Sequence, residues 1–241
     1  MKRRRFTLGS APFVDGMGTG VAVAVVDSGI HGAHPHVGGV SRGVFLGASA
    51  VADDFVDRLG HGTAVAAAIR EKAPHAELLA VRVFERTLTT SAEVLAEGII
   101  WAADHGARLI NLSLGTTNQE RATLLSEAVQ HAASRGAIVV SARERNGTPW
   151  LPGALDGVVG VRLDRDHERD AITAELVNGA LTIAASGYPR PIPGVPPERN
   201  LSGVSFSVAN ACGFLARLFS SRPDIAMLDD VTAALFPDGE L

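Results

Sequence analysis

Residues 21–26, Val-Ala-Val-Ala-Val-Val, form an unbroken apolar run that ends on a carboxylate, Asp27. A β-prone run with no polar face is a strand covered on both sides, as in a parallel sheet between helices. Residues 78–83, 109–114 and 138–142 read the same way, with shorter candidates at 158–161 and 181–184. Helical spacing fills the intervals. Residues 63–69 are alanine-rich, and 91–105 open on Ser91 and turn Leu95, Ile99 and Trp101 inward. Residues 124–135 are closed by Gly136, 205–219 form a long apolar helix, and a short one ends the chain near 229–235. This alternation predicts an α/β fold, a mostly parallel sheet with helices on both faces. Right-handed crossovers put the reactive end of such a sheet at the carboxyl ends of its strands. The Pro/Gly-rich stretches at 187–197 and 147–153 read as long loops inside one domain spanning 1–241, with 1–17 as an N-terminal extension.

Composition removes several function classes. The formal charge of −4, one Tyr and two Trp offer neither a basic field nor an aromatic platform for bases, so no nucleic acid is expected. No apolar run approaches the roughly 20 residues of a membrane span, so no membrane partner is expected either. The only cysteine, Cys212, has no partner within the chain for a disulfide and reads as a core thiol. The basic start, Lys2-Arg3-Arg4-Arg5, reads as a solvated tail, with a weak docking patch as the alternative, because the residues after it are too few and too polar for a signal peptide. The expected compartment is cytoplasmic.

Three motifs carry chemistry. Val25-Val26-Asp27-Ser28-Gly29-Ile30 places an Asp at the end of a buried strand, where it needs hydrogen-bond donors. His61-Gly62-Thr63-Ala64-Val65-Ala66 starts an alanine-rich helix with a His, and Ser202-Gly203-Val204-Ser205-Phe206-Ser207 starts another with a Ser. A serine hydroxyl becomes a nucleophile when a neutral imidazole takes its proton. A carboxylate holds that imidazole's tautomer and stabilises the cation formed during attack. A helix start offers N–H groups and a positive dipole end to the developing oxyanion.

On these residues the chain resembles the subtilisin family, whose nucleophile follows its Asp and His in that order. The likeness covers about residues 18 to 220: VAVAVVDSGI is similar to the family's Asp motif, GHGTAVAAAI to its His motif and LSGVSFSVANACGFLARL to its Ser motif. It implies a three-layer subtilisin-like fold and a triad of Asp27, His61 and Ser205. Asn111-Leu112-Ser113-Leu114-Gly115 resembles the family's substrate strand. Ser113, Leu114 and Gly115 would then wall the first specificity pocket, with the peptide adding as a strand beside Leu114.

The chain also departs from that pattern. Family members carry an oxyanion-binding Asn after the strand that here ends at Ala142. Without a gap Arg145 falls on that position, and with one inserted residue Asn146 does; Asn146-Gly147 is also a tight-turn pair. His36 stands where many relatives have a calcium-binding Asp, and imidazole suits a hard cation poorly, so no metal and no cofactor are expected. His31, His34 and His36, with His61, could suggest a transition-metal cluster but read as surface histidines; Asp53, Asp54 and Asp57 could orient His61 or select basic substrates but read as a solvated acidic loop. Only 26 residues precede Asp27, fewer than a folded prodomain needs, so either a processed chain or a minimal intracellular form is expected, and Met1 favours the second.

The expected activity is a serine endopeptidase working through an acyl-enzyme on a peptide or protein, with maturation of a ribosomally made precursor as the narrower reading. Two alternatives stay open. One is a pseudoenzyme whose altered oxyanion loop binds a peptide without turnover; the other is a macrocyclase covered by the Pro-rich loop. Oligomeric state is not legible.

Overall fold

The computed structural model describes residues 2–47 and 53–237. The strands are β1 (Lys2–Thr7), β2 (Ala22–Asp27), β3 (Arg42–Phe45), β4 (Glu77–Arg82), β5 (Leu109–Leu112), β6 (Ile138–Ala142), β7 (Glu144–Arg145), β8 (Thr148–Pro149), β9 (Val158–Asp164), β10 (Ala171–Val177) and β11 (Ala180–Ser186). The helices are α1 (His61–Lys72), α2 (Ala92–Asp104), α3 (Ala122–Ser134), α4 (Val204–Ser221) and α5 (Leu228–Leu235).

Nine strands join in the order β1-β10-β11-β9-β6-β5-β2-β4-β3, and β7–β8 is a separate hairpin. The sheet is parallel except at one edge, where β1 and β11 both run antiparallel to β10. On β2, Val23 and Val25 face one apolar cluster while Ala24 and Val26 face another. The first cluster is shared with α1, α4 and α5, the second with α2 and α3. The period-two pleat thus feeds two cores, and the expected three layers are present. Every residue of α4 from Phe206 to Phe219 is buried, Ser207, Asn210 and Arg217 among a mostly apolar run.

One edge differs from the sequence reading. The basic start is no solvated tail: β1 pairs with β10 from Lys2↔Leu176 to Thr7↔Ala171. Its charges find partners there. Arg3 pairs at 3.1 Å with Glu175, a carboxylate that is 1% exposed and also held by Arg162. Arg5 reaches Glu168 at 2.5 Å, and Arg4 donates to the Leu235 carbonyl at 3.1 Å. An edge strand studded with arginines also repels a further strand.

Candidate active site

Asp27 is the last residue of β2 and is fully buried. Its Oδ1 accepts the Ser28 N–H at 2.7 Å and meets His61 Nδ1 at 2.7 Å, while Oδ2 has no hydrogen-bond partner among the described residues. Burial alone lowers the His61 pKa, but the Asp27 hydrogen bond and charge, with a smaller contribution from Asp57, raise it overall above its usual value.

His61 is the first residue of α1, whose N-cap, Gly60, has no side chain to give. Its orphan amides are satisfied from outside the helix. Ser28 Oγ accepts the Gly62 N–H at 2.9 Å and donates to Asp57 Oδ1 at 2.9 Å. Asp57 Oδ2 accepts the Thr63 N–H at 2.9 Å and the Thr63 hydroxyl at 2.7 Å, and Oδ1 accepts the amides of Leu59 and Gly60 at 2.8 Å each. Asp57 is therefore a scaffold under the His61 turn and not a solvated acid, a correction of the sequence reading. The available signal was an Asp a few residues ahead of a glycine-capped helix start. Gly62 is required by contact: a Cβ there would sit 2.2 Å from the Gly29 carbonyl oxygen.

Ser205 lies in the first turn of α4, after Gly203 at φ 150°, a conformation that favours glycine. No side chain caps α4. Ser205 and His61 line one cavity of about 450 Å³ together with Ser113, Leu114, Gly115 and Arg145. Among the described residues no hydrogen bond joins Ser205 to His61; the Ser205 hydroxyl donates to the Ser113 carbonyl at 3.3 Å. Ser113, Leu114 and Gly115 continue from β5, and Thr116 then bridges to Leu151.

The two oxyanion candidates are separated. Asn146 occupies the β7–β8 turn at φ 53°, followed by Gly147 at φ 77°, the paired positive φ of a type I′ hairpin. It is exposed and is not among the residues lining the Ser205 cavity. Arg145 does line it, with its guanidinium 5.6 Å from the Trp150 ring centre. Cys212 is buried in α4, and burial pushes its thiol pKa far up, so it is inert. His31 is exposed and His34 and His36 are half-buried, in keeping with surface histidines; the His34 and His36 rings meet edge-to-face at 5.2 Å, and all three line a second, open cavity.

The chain is similar to known proteins. Residues 18–154, which include Asp27 and His61, match the subtilase family. Thermitase of Thermoactinomyces vulgaris is 30% identical over 90% of this chain and 82% of its own length. Subtilisin Savinase of Lederbergia lenta is 39% identical over 86% of this chain and 78% of its own. The chain spans about half, 53%, of a thermophilic serine proteinase of Bacillus sp. strain AK1 at 34% identity. Among solved structures, sphericase superposes with a TM-score of 0.69 at 23% identity, covering 87% of this chain and 80% of its own. The prenylagaramide maturation protease PagA gives 0.64 at 27% identity, covering 85% and 77%.

Proposed function

Because the chain belongs to the subtilase family of serine peptidases, we propose that it is an endopeptidase whose triad is Asp27, His61 and Ser205. The observation that carries this reading is the 2.7 Å bond between His61 Nδ1 and buried Asp27, with the other face of His61 on the cavity that holds Ser205. Ser205 Oγ attacks the scissile carbonyl carbon as His61 Nε2 takes its proton. The imidazolium then gives that proton to the leaving amine, and water resolves the acyl-enzyme by the same steps. Asp27 holds the Nδ1–H tautomer throughout.

Residues 113–115 line the cavity beside Ser205, with Leu114 and Gly115 partly exposed, which supports substrate addition there as a strand. A substrate N–H taking the Ser113 carbonyl would release the Ser205 hydroxyl toward His61. The α4 N-terminus supplies backbone N–H groups to the oxyanion, and Arg145 is the side-chain donor within the cavity. Likeness to a maturation protease supports a ribosomally made precursor peptide as substrate.

A fluorophosphonate reagent should label the wild-type protein and spare Ser205→Ala; equal labelling of both discards the nucleophile. The pseudoenzyme reading draws on the Ser205 hydroxyl being turned to Ser113 and predicts peptide binding with no labelling at all. Mass spectrometry of a cut precursor separates linear from cyclic product.

A further inference from the structure

A second cavity, about 440 Å³, abuts the same three catalytic segments without sharing a lining residue with the first. Gly60 and Thr63, on either side of His61, line it, and so do Asn200 and Leu201, just ahead of the Ser205 turn. On the peptidase reading, a peptide lying along residues 113–115 and crossing the Ser205–His61 pair would run on toward this cavity, which adjoins the same two segments.

The chemistry of the wall is lopsided. Ile192 and Leu201 stand at it 47% and 52% exposed, an apolar surface with nothing over it. Against them is one guanidinium, Arg190, which no carboxylate pairs with among the described residues. The Asn200 amide donates to the Arg190 carbonyl at 3.3 Å, which anchors the backbone and leaves the charge free. The acids nearby are already engaged. Asp57 accepts the five hydrogen bonds described above, and Glu71 is held by Lys72 at 2.6 Å and by Arg169. Burial, then the Arg190 charge and then His34, lower the His36 pKa, so near neutral pH the fixed positive charge belongs to Arg190.

We infer that this cavity receives the substrate segment released with the amine, and that Arg190 selects an Asp or Glu side chain within it. A cavity with exposed apolar surface at Ile192 and Leu201 and an unpaired guanidinium facing it matches a peptide bearing a carboxylate, and a planar guanidinium takes a carboxylate in bidentate fashion. The inference rests on the peptidase reading for the direction of the peptide, but the site itself is tested by binding.

Peptides with one common sequence before the scissile bond, amidated at the C-terminus, carry Glu, Gln or Lys in the released segment. Dissociation constants are measured with Ser205→Ala protein. Glu should bind about tenfold more tightly than Lys, about 1.4 kcal/mol, with Gln between. Arg190→Gln should erase that order, Arg190→Lys should keep part of it, and Arg190→Glu should reverse it. Equal binding of the three peptides overturns the inference, as does an order unchanged in Arg190→Gln. A Gln peptide with a free C-terminus that matches the amidated Glu peptide also overturns it, since the terminal carboxylate is then the ligand. Wild-type hydrolysis of a chromogenic anilide with no released residues reads the peptidase separately. Its loss in wild type would count against the triad without touching the binding order.

Discussion

Ser205 and Ser113 exchange hydrogen bonds: each hydroxyl donates to the other's carbonyl oxygen at 3.3 Å. The proposed nucleophile is thereby tied to the segment on which a substrate would add. The Asn111 amide donates to Ser113 Oγ at 3.1 Å and extends the tie into the sheet.

Ser113→Ala removes one of the two bonds and leaves the buried Asn111 amide without its acceptor. The Ser205–Ser113 carbonyl bond survives, because it needs only backbone. A loss of about 1–3 kcal/mol in unfolding free energy is expected, the cost of an orphaned buried donor. The value of kcat should fall only a few-fold. Denaturant titration and steady-state kinetics check the pair, and a loss of kcat as large as that of Ser205→Ala would make Ser113 a catalytic group.

Asp27→Asn keeps the shape of the buried site but reverses what it offers to His61. An Asn can present N–H to Nδ1 and favour the wrong tautomer, so kcat should fall by about 10⁴. The raised His61 pKa sets the pH profile. The base must be neutral, so kcat/KM should rise with pH through a midpoint above the usual imidazole value of 6.5. Stability runs the other way. A folded pKa above the unfolded one stabilises fully below the unfolded value, and that increment is lost as pH rises through the folded value. Urea unfolding across pH 5 to 9 should show the decline in wild type and a weaker one in Asp27→Asn.

How far the chain could be read depended on whether a residue's partners lie near it in sequence. Asp27 was legible because a carboxylate ending an all-apolar run has few places to go, and His61 and Ser205 because each opens a helix of distinctive make-up. Strands β2, β4, β5 and β6 announced themselves by burial on both faces. Strand β1 did not: four basic residues resemble a solvated tail until Glu175, far along the chain, comes to meet Arg3. Strand β10 escaped because Glu175 breaks its apolar pattern, and its ion pairs with Arg3 and Arg162 are invisible locally. Asp57 was misread for the same reason, since its acceptor role depends on Ser28 and on the fold of the 57–63 turn. The Asn146-Gly147 pair was legible as a turn; which neighbouring side chain faces the cavity depended on how the hairpin is oriented.

Asp57→Ala removes five acceptor bonds from beneath His61. It should destabilise the protein by about 2–3 kcal/mol, in the range for hydrogen bonds to a charged group. It should also lower kcat more than it raises KM, because the loss is one of imidazole position. Burial pushes the Asp57 pKa up, but the Thr63, Leu59 and Gly60 bonds outweigh it and leave the value below the ordinary 3.8. The increment is therefore complete above that ordinary value and lost as pH falls through the folded one. Asp57→Asn should flatten the acid limb of a plot of Tm against pH. An unaltered acid limb would mean that another carboxylate carries it.

Arg145 and Asn146 are adjacent yet predicted to fail in different ways. Arg145 lines the Ser205 cavity, so Arg145→Ala should cost kcat about 10²-fold, the usual loss for one oxyanion donor, with KM and Tm little changed. Asn146 sits at positive φ on an exposed hairpin, a conformation that costs most residues about 1–2 kcal/mol. Asn146→Ala should therefore lower stability by about 1 kcal/mol and leave kcat alone, while Asn146→Gly should restore the stability. Kinetics and denaturant titration of the three variants decide between the side chains. A fall in kcat for Asn146→Ala that Asn146→Gly does not repair would move the oxyanion role to Asn146, and would require the β7–β8 hairpin to turn inward when substrate binds.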